Sequence, residues 1–425
     1  MLLTAGMLLQ ACARQSTTTS TPNLSQYGSQ IQGGTGFERE VRGGRNITTQ
    51  SGTLLIWTPD YRGMNPLIQE KIDSTLRDLI IRFESRYEQV NVIQKKYSDS
   101  FIYKKYSQKV GEGLGPDLIL IHNFMIPQLS RRKEILPIPA KVAKFQSIRP
   151  KLLQSMQYNE KQYAMPFIIN VQLLCYDKRK VSAPPKTFDQ LVEISGSGVS
   201  TALGGSFIDN IWGLPGFHAT LFGGVRSSRE TLKNGLAEWI SLLRGADEQP
   251  NLALFKNSRM MAKYFSEGKI SLLNCTSIDL PFLREKIGSG NLGVATLPAI
   301  NDIDARPMLT GASLAANPFM SKNQKELAFR FMNFAISTDQ QQQISIDWNS
   351  LLPVNQNSDF NRQLLPVFEV SEKSLGASFS LTSGELAMIV NKFDIIQGLF
   401  EDATAGLTDP TQASDEILDQ LEIKQ

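Results

Sequence analysis

Residues 163–178, Tyr-Ala-Met-Pro-Phe-Ile-Ile-Asn-Val-Gln-Leu-Leu-Cys-Tyr-Asp-Lys, restrict the possible folds more than any other stretch of the chain. A near-continuous apolar, β-branched run of this length suits a strand buried on both faces. Pro166 has no N–H to give to a sheet ladder, so the run reads as two short strands meeting at a corner. The corner is either a crossing between two lobes or a kink in the core of one domain. After it, Pro184 and Pro185 stop the strand, Thr187 suits a helix N-cap, and Asp189 falls in the first helical turn, where the helix dipole favours it.

A chain of 425 residues is too long for one ordinary core and implies two domains or more. With 41% hydrophobic and 20% charged residues it has the composition of a soluble globular protein. A net charge of +3 gives no warrant for nucleic-acid binding, and Arg131-Arg132-Lys133 reads as a solvated helix end. No stretch beyond the N-terminus offers the roughly 20 apolar residues needed to span a membrane. Cys175 and Cys275 could pair, but both sit in apolar, strand-like surroundings and read as buried free thiols.

Residues 1–12 form an apolar segment ending in Leu9-Gln10-Ala11-Cys12, which resembles a bacterial lipobox in which the cysteine is lipidated. Gln10 departs from the small or apolar residue usual there, and no Lys or Arg precedes the apolar run. Residues 13–51 are rich in Ser, Thr and Gly and bury too little apolar surface to fold, so they are expected to be a disordered tether.

From residue 52 the chain alternates between strand and helix patterns. Leu54-Leu55-Ile56-Trp57 is a short strand, Ile72, Leu76, Leu79, Ile80 and Phe83 recur at helical spacing, residues 90–95 form a second strand and residues 118–121 a third. This alternation predicts βαβ units, with ligands at the carboxyl ends of strands near Thr58–Tyr61 and His122-Asn123. Gly268 suits a helix C-terminus, and Leu327, Phe331 and Phe334 share one core-facing helical face.

Three passages then carry a resemblance. The first is Tyr163-Ala164-Met165-Pro166-Phe167 with its apolar strand, followed by Ala183-Pro184-Pro185-Lys186-Thr187-Phe188-Asp189. The second is Tyr264-Phe265-Ser266-Glu267-Gly268 leading to Asn274, followed by Gly293-Val294-Ala295-Thr296-Leu297-Pro298. The third is Thr310-Gly311-Ala312-Ser313-Leu314-Ala315, a helix with Phe329-Arg330-Phe331-Met332-Asn333-Phe334, Ser337-Thr338-Asp339-Gln340, and Leu352-Pro353-Val354-Asn355. In this order they resemble family 1 extracellular solute-binding proteins, the maltose-binding-protein-like receptors of ABC importers. The resemblance covers residue 52 to the C-terminus, including a terminal helix over 413–423 after Asp409-Pro410-Thr411.

It implies an α/β, two-lobed periplasmic-binding-protein fold of the type II kind, each lobe a mostly parallel sheet flanked by helices. Lobe 1 would be 52–166 plus 299–352 and lobe 2 would be 167–298 plus 353–425, with hinges at Pro166, Pro298 and Pro353. Carried over residue by residue, the ligand cleft would use Trp57, Asp60, Tyr61, His122, Asn123 and Ser313 from the first lobe. Phe217, Asn274 and Thr276 would come from the second, with Trp348 and Asn349 near the third crossing. On their own chemistry, Trp57, Phe217 and Trp348 suit a core as well as a cleft, and His122 suits a structural role as well as a binding one. Where oligosaccharide binders of the family carry a Gly/Trp-rich element after Asn274, this chain has Cys275-Thr276-Ser277-Ile278, which points to a smaller sugar or polyol.

Enzyme signatures are missing. The two histidines, His122 and His218, form no HExxH, and no G-x-S-x-G, Walker A or paired CxxC occurs. Gly111-x-Gly113-x-Gly115 precedes a strand instead of opening a helix. The expectation is a monomeric, lipid-anchored extracytoplasmic receptor that needs no cofactor or metal. It would bind a small solute, most simply a carbohydrate, and hand it to an ABC permease. The alternatives are a solute-binding lipoprotein feeding a membrane sensor and an extracytoplasmic glycan-active enzyme.

Overall fold

The computed structural model describes residues 51–60, 65–256, 258–358 and 366–423. The candidate lipidation residue Cys12, the tether up to residue 50 and the candidate binding residue Tyr61 lie outside them.

The first sheet begins with β1 (Gly52–Asp60), β2 (Val90–Ser98) and β3 (Leu118–His122), all parallel. A small hairpin, β4 (Gln157–Tyr158) and β5 (Lys161–Gln162), leads into β6 (Ala164–Asn170). The second sheet takes β7 (Gln172–Asp177), β8 (Thr201–Gly204), β9 (Leu252–Phe255), β10 (Leu272–Thr276) and β11 (Leu292–Ala295). The chain then returns to the first sheet as β12 (Thr310–Ala316). The orders are β2-β1-β3-β12-β6 and β11-β7-β10-β8-β9. Both sheets are mixed instead of mostly parallel, because β12 enters the first antiparallel to β3 and β6, and β7 enters the second antiparallel to β10 and β11.

Strand alternation decides which face each side chain buries. On one face of the first sheet Trp57, Ile119, Ile121 and Ala315 pack with Ile102, Tyr106 and Val110 of the helix Asp99–Gly111. On the other, Leu54, Ile56, Leu120 and Leu314 pack under the helices Pro66–Arg86 and Lys322–Ala335. That second cluster continues without a break into the Leu173, Cys175, Leu273 and Cys275 face of the other sheet, so apolar packing joins the two lobes behind the cleft. The opposite face of the second sheet packs on Trp239, Leu236 and Leu243 of the helix Arg229–Asp247.

Local signals match their elements. Thr187 caps the helix Phe188–Gly196 by accepting from Gln190 N–H, Asp409 caps Pro410–Gln420, and Gly268 takes φ +73° after the helix Ser258–Ser266. Leu327, Phe331 and Phe334 are buried together.

The three prolines lie short of the sheet-to-sheet passages. Pro166 sits inside β6, opposite Ser313 at a β-bulge, and β6 is an edge strand that tolerates a residue without a donor. The passage itself falls at Val171, between β6 and β7. After Pro298 the chain stays on the second lobe, where Ala299 bridges Thr187 and Arg306 N–H donates to the Trp212 carbonyl, until residues 307–309 lead into β12. After Pro353, Asn355 bridges Ile148 and Ser358 Oγ donates to the Thr338 carbonyl, so the chain is still on the first lobe.

Cys175 and Cys275 form a disulfide, which corrects the free-thiol expectation. They are 100 residues apart in sequence, but antiparallel pairing of β7 with β10 puts them diagonally opposite on one face, with Cα atoms 5.8 Å apart.

Candidate functional site

Register brings three strand ends to one edge of the first sheet. His122 ends β3 and faces Ala312, Ala312 faces Ile168, and Thr310 faces Asn170 at the end of β6. The carboxyl ends of β3 and β6 and the amino end of β12 therefore converge where a parallel-type sheet gathers ligands. Gly311 makes the convergence possible, since a Cβ there would lie 2.2 Å from the Ile168 carbonyl oxygen.

Facing this edge, the second lobe presents the turns after its own strands. Ile208 follows β8 on the helix Phe207–Asn210, Ile278 follows β10, and Leu381, Ile389 and Phe393 come from the approach and body of the helix Ser383–Thr404. Between the two edges lies a cavity of about 540 Å³, within the range of small-molecule sites.

The polar groups belong mainly to the first lobe. His122 is partly exposed, with Nε2 3.4 Å from Asp99 Oδ1, and its ring stacks on Phe124 with centroids 5.0 Å apart. Its backbone N–H donates to the Tyr103 hydroxyl, whose own pKa burial pushes up. Asn123 Oδ1 accepts from Ser313 Oγ at 2.7 Å. Asn170 Oδ1 accepts from Ser277 Oγ at 3.1 Å and Ile278 N–H at 3.2 Å, tying the first sheet to the second lobe. The Thr310 hydroxyl donates to the Asn170 carbonyl.

Of the residues expected in the cleft, His122 and Asn123 line the cavity. The other described ones are placed elsewhere. Trp57 pairs with Ile119 in mid-sheet, well short of the strand end, and is buried against Tyr97 and Tyr106. Asp60, at the end of β1, lies outside the cavity lining. Ser313 is fully buried and acts on Asn123 instead of facing the cavity. Phe217 leans on Trp239 in the second-lobe core. Asn274 Oδ1 accepts from Gly204 N–H and so pins β10 to β8. Thr276 spends its N–H and hydroxyl on Asp279 Oδ2. Trp348 is buried and donates its indole N–H to Thr75 Oγ1 at 2.8 Å. Asn349 takes φ +51° to end the helix Thr338–Trp348, and its carbonyl accepts from Arg284 of the second lobe. The residue-by-residue transfer missed Asn170, Thr310 and the second-lobe apolar wall. Only Asn170 had a signal: a polar residue interrupting the 163–178 run.

Two carboxyls stand behind the second-lobe edge. Burial pushes both Asp209 and Asp279 above the usual carboxylate range. For Asp279, the hydrogen bonds from Thr276 oppose this and the nearby Asp209 adds to it. Among the described residues no cluster of His, Cys, Asp and Glu suits a metal ion, and no helix is long and apolar enough to cross a membrane.

Comparison with known proteins gives a consistent picture. A family described as "Bacterial extracellular solute-binding protein" matches residues 79–363. The maltotriose-binding protein of Pyrococcus abyssi is 26% identical over 149 residues, which span 34% of this chain and 30% of that relative. Among solved structures, the GacH receptor of Streptomyces glaucescens, studied unliganded and with acarbose, superposes with a TM-score of 0.73 at 18% identity. That superposition covers 88% of this chain and all of the other. A Thermotoga lettingae ABC-transporter solute-binding protein bound to α-D-tagatose gives 0.69 at 17% identity, covering 87% of this chain and 100% of that one. At these identities the structural likeness shows the two-lobed fold.

Proposed function

This chain belongs to the bacterial extracellular solute-binding proteins, a family of binding proteins and not of enzymes, and from that premise we propose that it is a receptor for a sugar-like solute held between its lobes and passed to an ABC permease. The observation that carries the proposal is the ligand-sized cavity built jointly by the strand ends of one lobe and the turns of the other. A solute touching both walls favours the closed form by its greater affinity for it, and a permease that distinguishes closed from open reads that change. Rotation would be taken up at Val171 and at residues 307–309, where the chain changes sheets.

Sugar is the favoured solute class because the similar proteins above are described with maltotriose, acarbose and tagatose. The Cys175–Cys275 disulfide suits the oxidising conditions of an extracytoplasmic compartment. Lipidation of Cys12 would tether the receptor to the membrane beside its permease; Cys12→Ser is expected to move the protein from the membrane to the soluble fraction.

The test is a thermal-unfolding screen of the full chain against mono- and oligosaccharides, polyols and unrelated polar solutes. A true ligand at a hundredfold excess over its Kd should stabilise the folded state by about 2.7 kcal/mol. A midpoint that no saccharide moves would overturn the sugar assignment.

A further inference from the structure

The cavity is apolar over most of its lining and polar at one edge of the first lobe, and this division bears on what the cavity holds. Among the described residues, the second-lobe side chains on it, Ile208, Ile278, Leu381, Ile389 and Phe393, are all apolar. The first-lobe wall is itself partly apolar through Ile72, Leu120, Ile168 and Ala312, and it adds Phe124, which is 45% exposed, while Phe393 across the cleft is 39% exposed. Large apolar side chains left open toward a shared cavity mark a surface that an occupant covers. The polar groups, by contrast, gather at the strand ends around His122, Asn123, Asn170 and Thr310. Part of their capacity is already used, since the side-chain oxygens of both asparagines accept hydrogen bonds from within the protein.

A free oligosaccharide carries hydroxyls around the rim of each ring, and only its C–H faces are apolar. Each hydroxyl pressed against isoleucine or leucine without a partner lowers affinity by about tenfold. Such a solute therefore matches only one end of this cavity. We infer that the solute is an amphiphile, a compact hydroxylated head such as a single sugar joined to an apolar alkyl or aryl group. The head hydrogen-bonds at the His122–Asn170 edge, and the apolar group lies against the second-lobe wall between Phe124 and Phe393. This rests on the receptor reading above and narrows its substrate class.

Calorimetric titration of the full chain tests it with methyl, hexyl and phenyl glycosides of glucose, galactose and N-acetylglucosamine, maltotriose, and 1-hexanol, all below micellar concentrations. For the preferred head, affinity is expected to rise about fourfold for each methylene that enters the cavity. Phe393→Ser, which removes a partly exposed ring and little core packing, is expected to lower hexyl-glycoside affinity more than methyl-glycoside affinity. If maltotriose or methyl glycosides bind and the hexyl group adds nothing, the inference fails and the sugar-receptor reading stands. If 1-hexanol binds as tightly as the hexyl glycosides, the sugar reading fails and the head-group half of the inference with it. Silence across the whole panel overturns both.

Discussion

The two walls of the cleft are built in opposite ways. The first-lobe wall is a set of strand ends whose positions are locked by ladder hydrogen bonds, a close backbone approach at Gly311 and a buried Ser313–Asn123 bond. The second-lobe wall is a set of turns and a long helix, apolar toward the cavity, on a sheet held covalently by Cys175–Cys275. Hydrogen bonds need fixed directions, so the polar groups sit where the backbone is most constrained. Apolar contact is non-directional and would tolerate the lobe movement of the proposed closure. In the proposed receptor, this division would give orientation of the solute to one lobe and its enclosure to the other.

The largest effect should come from the covalent side. Removing the disulfide with Cys175→Ala and Cys275→Ala releases a loop of 100 residues and is expected to cost about 4 kcal/mol in denaturant unfolding. Hydrogen exchange should show β7 and β10 losing protection first; equal loss in β3 and β12 would mean that the shared apolar cluster makes the lobes one cooperative unit. Next, Gly311→Ala forces a methyl into the Ile168 carbonyl and should destabilise by about 3 kcal/mol while abolishing solute binding. Retained binding would show that the three-strand convergence is not what orients the solute.

Ser313→Ala leaves Asn123 Oδ1 without its donor and should cost about 1–2 kcal/mol, with solute affinity down roughly tenfold because Asn123 is no longer positioned. Unchanged affinity would remove Asn123 from the site. The smallest effect is one of pH. Asp279 has a raised pKa in the folded state, so the native protein holds its proton more tightly than the unfolded chain, and this group's contribution falls as pH rises through the raised value. Asp279→Asn abolishes that titration while keeping an oxygen for Thr276. The variant's midpoint should therefore gain on the wild type as pH rises from acid to neutral, and parallel curves would show that Asp279 is not strained by burial.

Much of the fold was legible because it is written in local chemistry. Thr187 and Asp409 at helix starts, Gly268 at a helix end, and the shared face of Leu327, Phe331 and Phe334 follow from capping and periodicity alone. The prolines misled for an equally local reason. A residue without an N–H marks where a ladder can spare a donor, and an edge strand such as β6 can spare one without turning the chain into another lobe. Trp57 and Trp348 have the chemistry of stacking platforms, yet mid-sheet register buries the first and a hydrogen bond to Thr75 holds the second in the core.

By itself, then, the sequence determined the alternation of strand and helix, the helix caps, the apolar run at the first crossing and, through three ordered motifs, the two-lobed family. The tertiary structure alone decided that Cys175 meets Cys275, that the chain changes sheets at Val171, and that Asn170, Thr310 and Phe393 share a cavity. The first group depends on neighbours within a turn or a strand. The second depends on register between segments separated by a hundred residues or more, which no local pattern encodes.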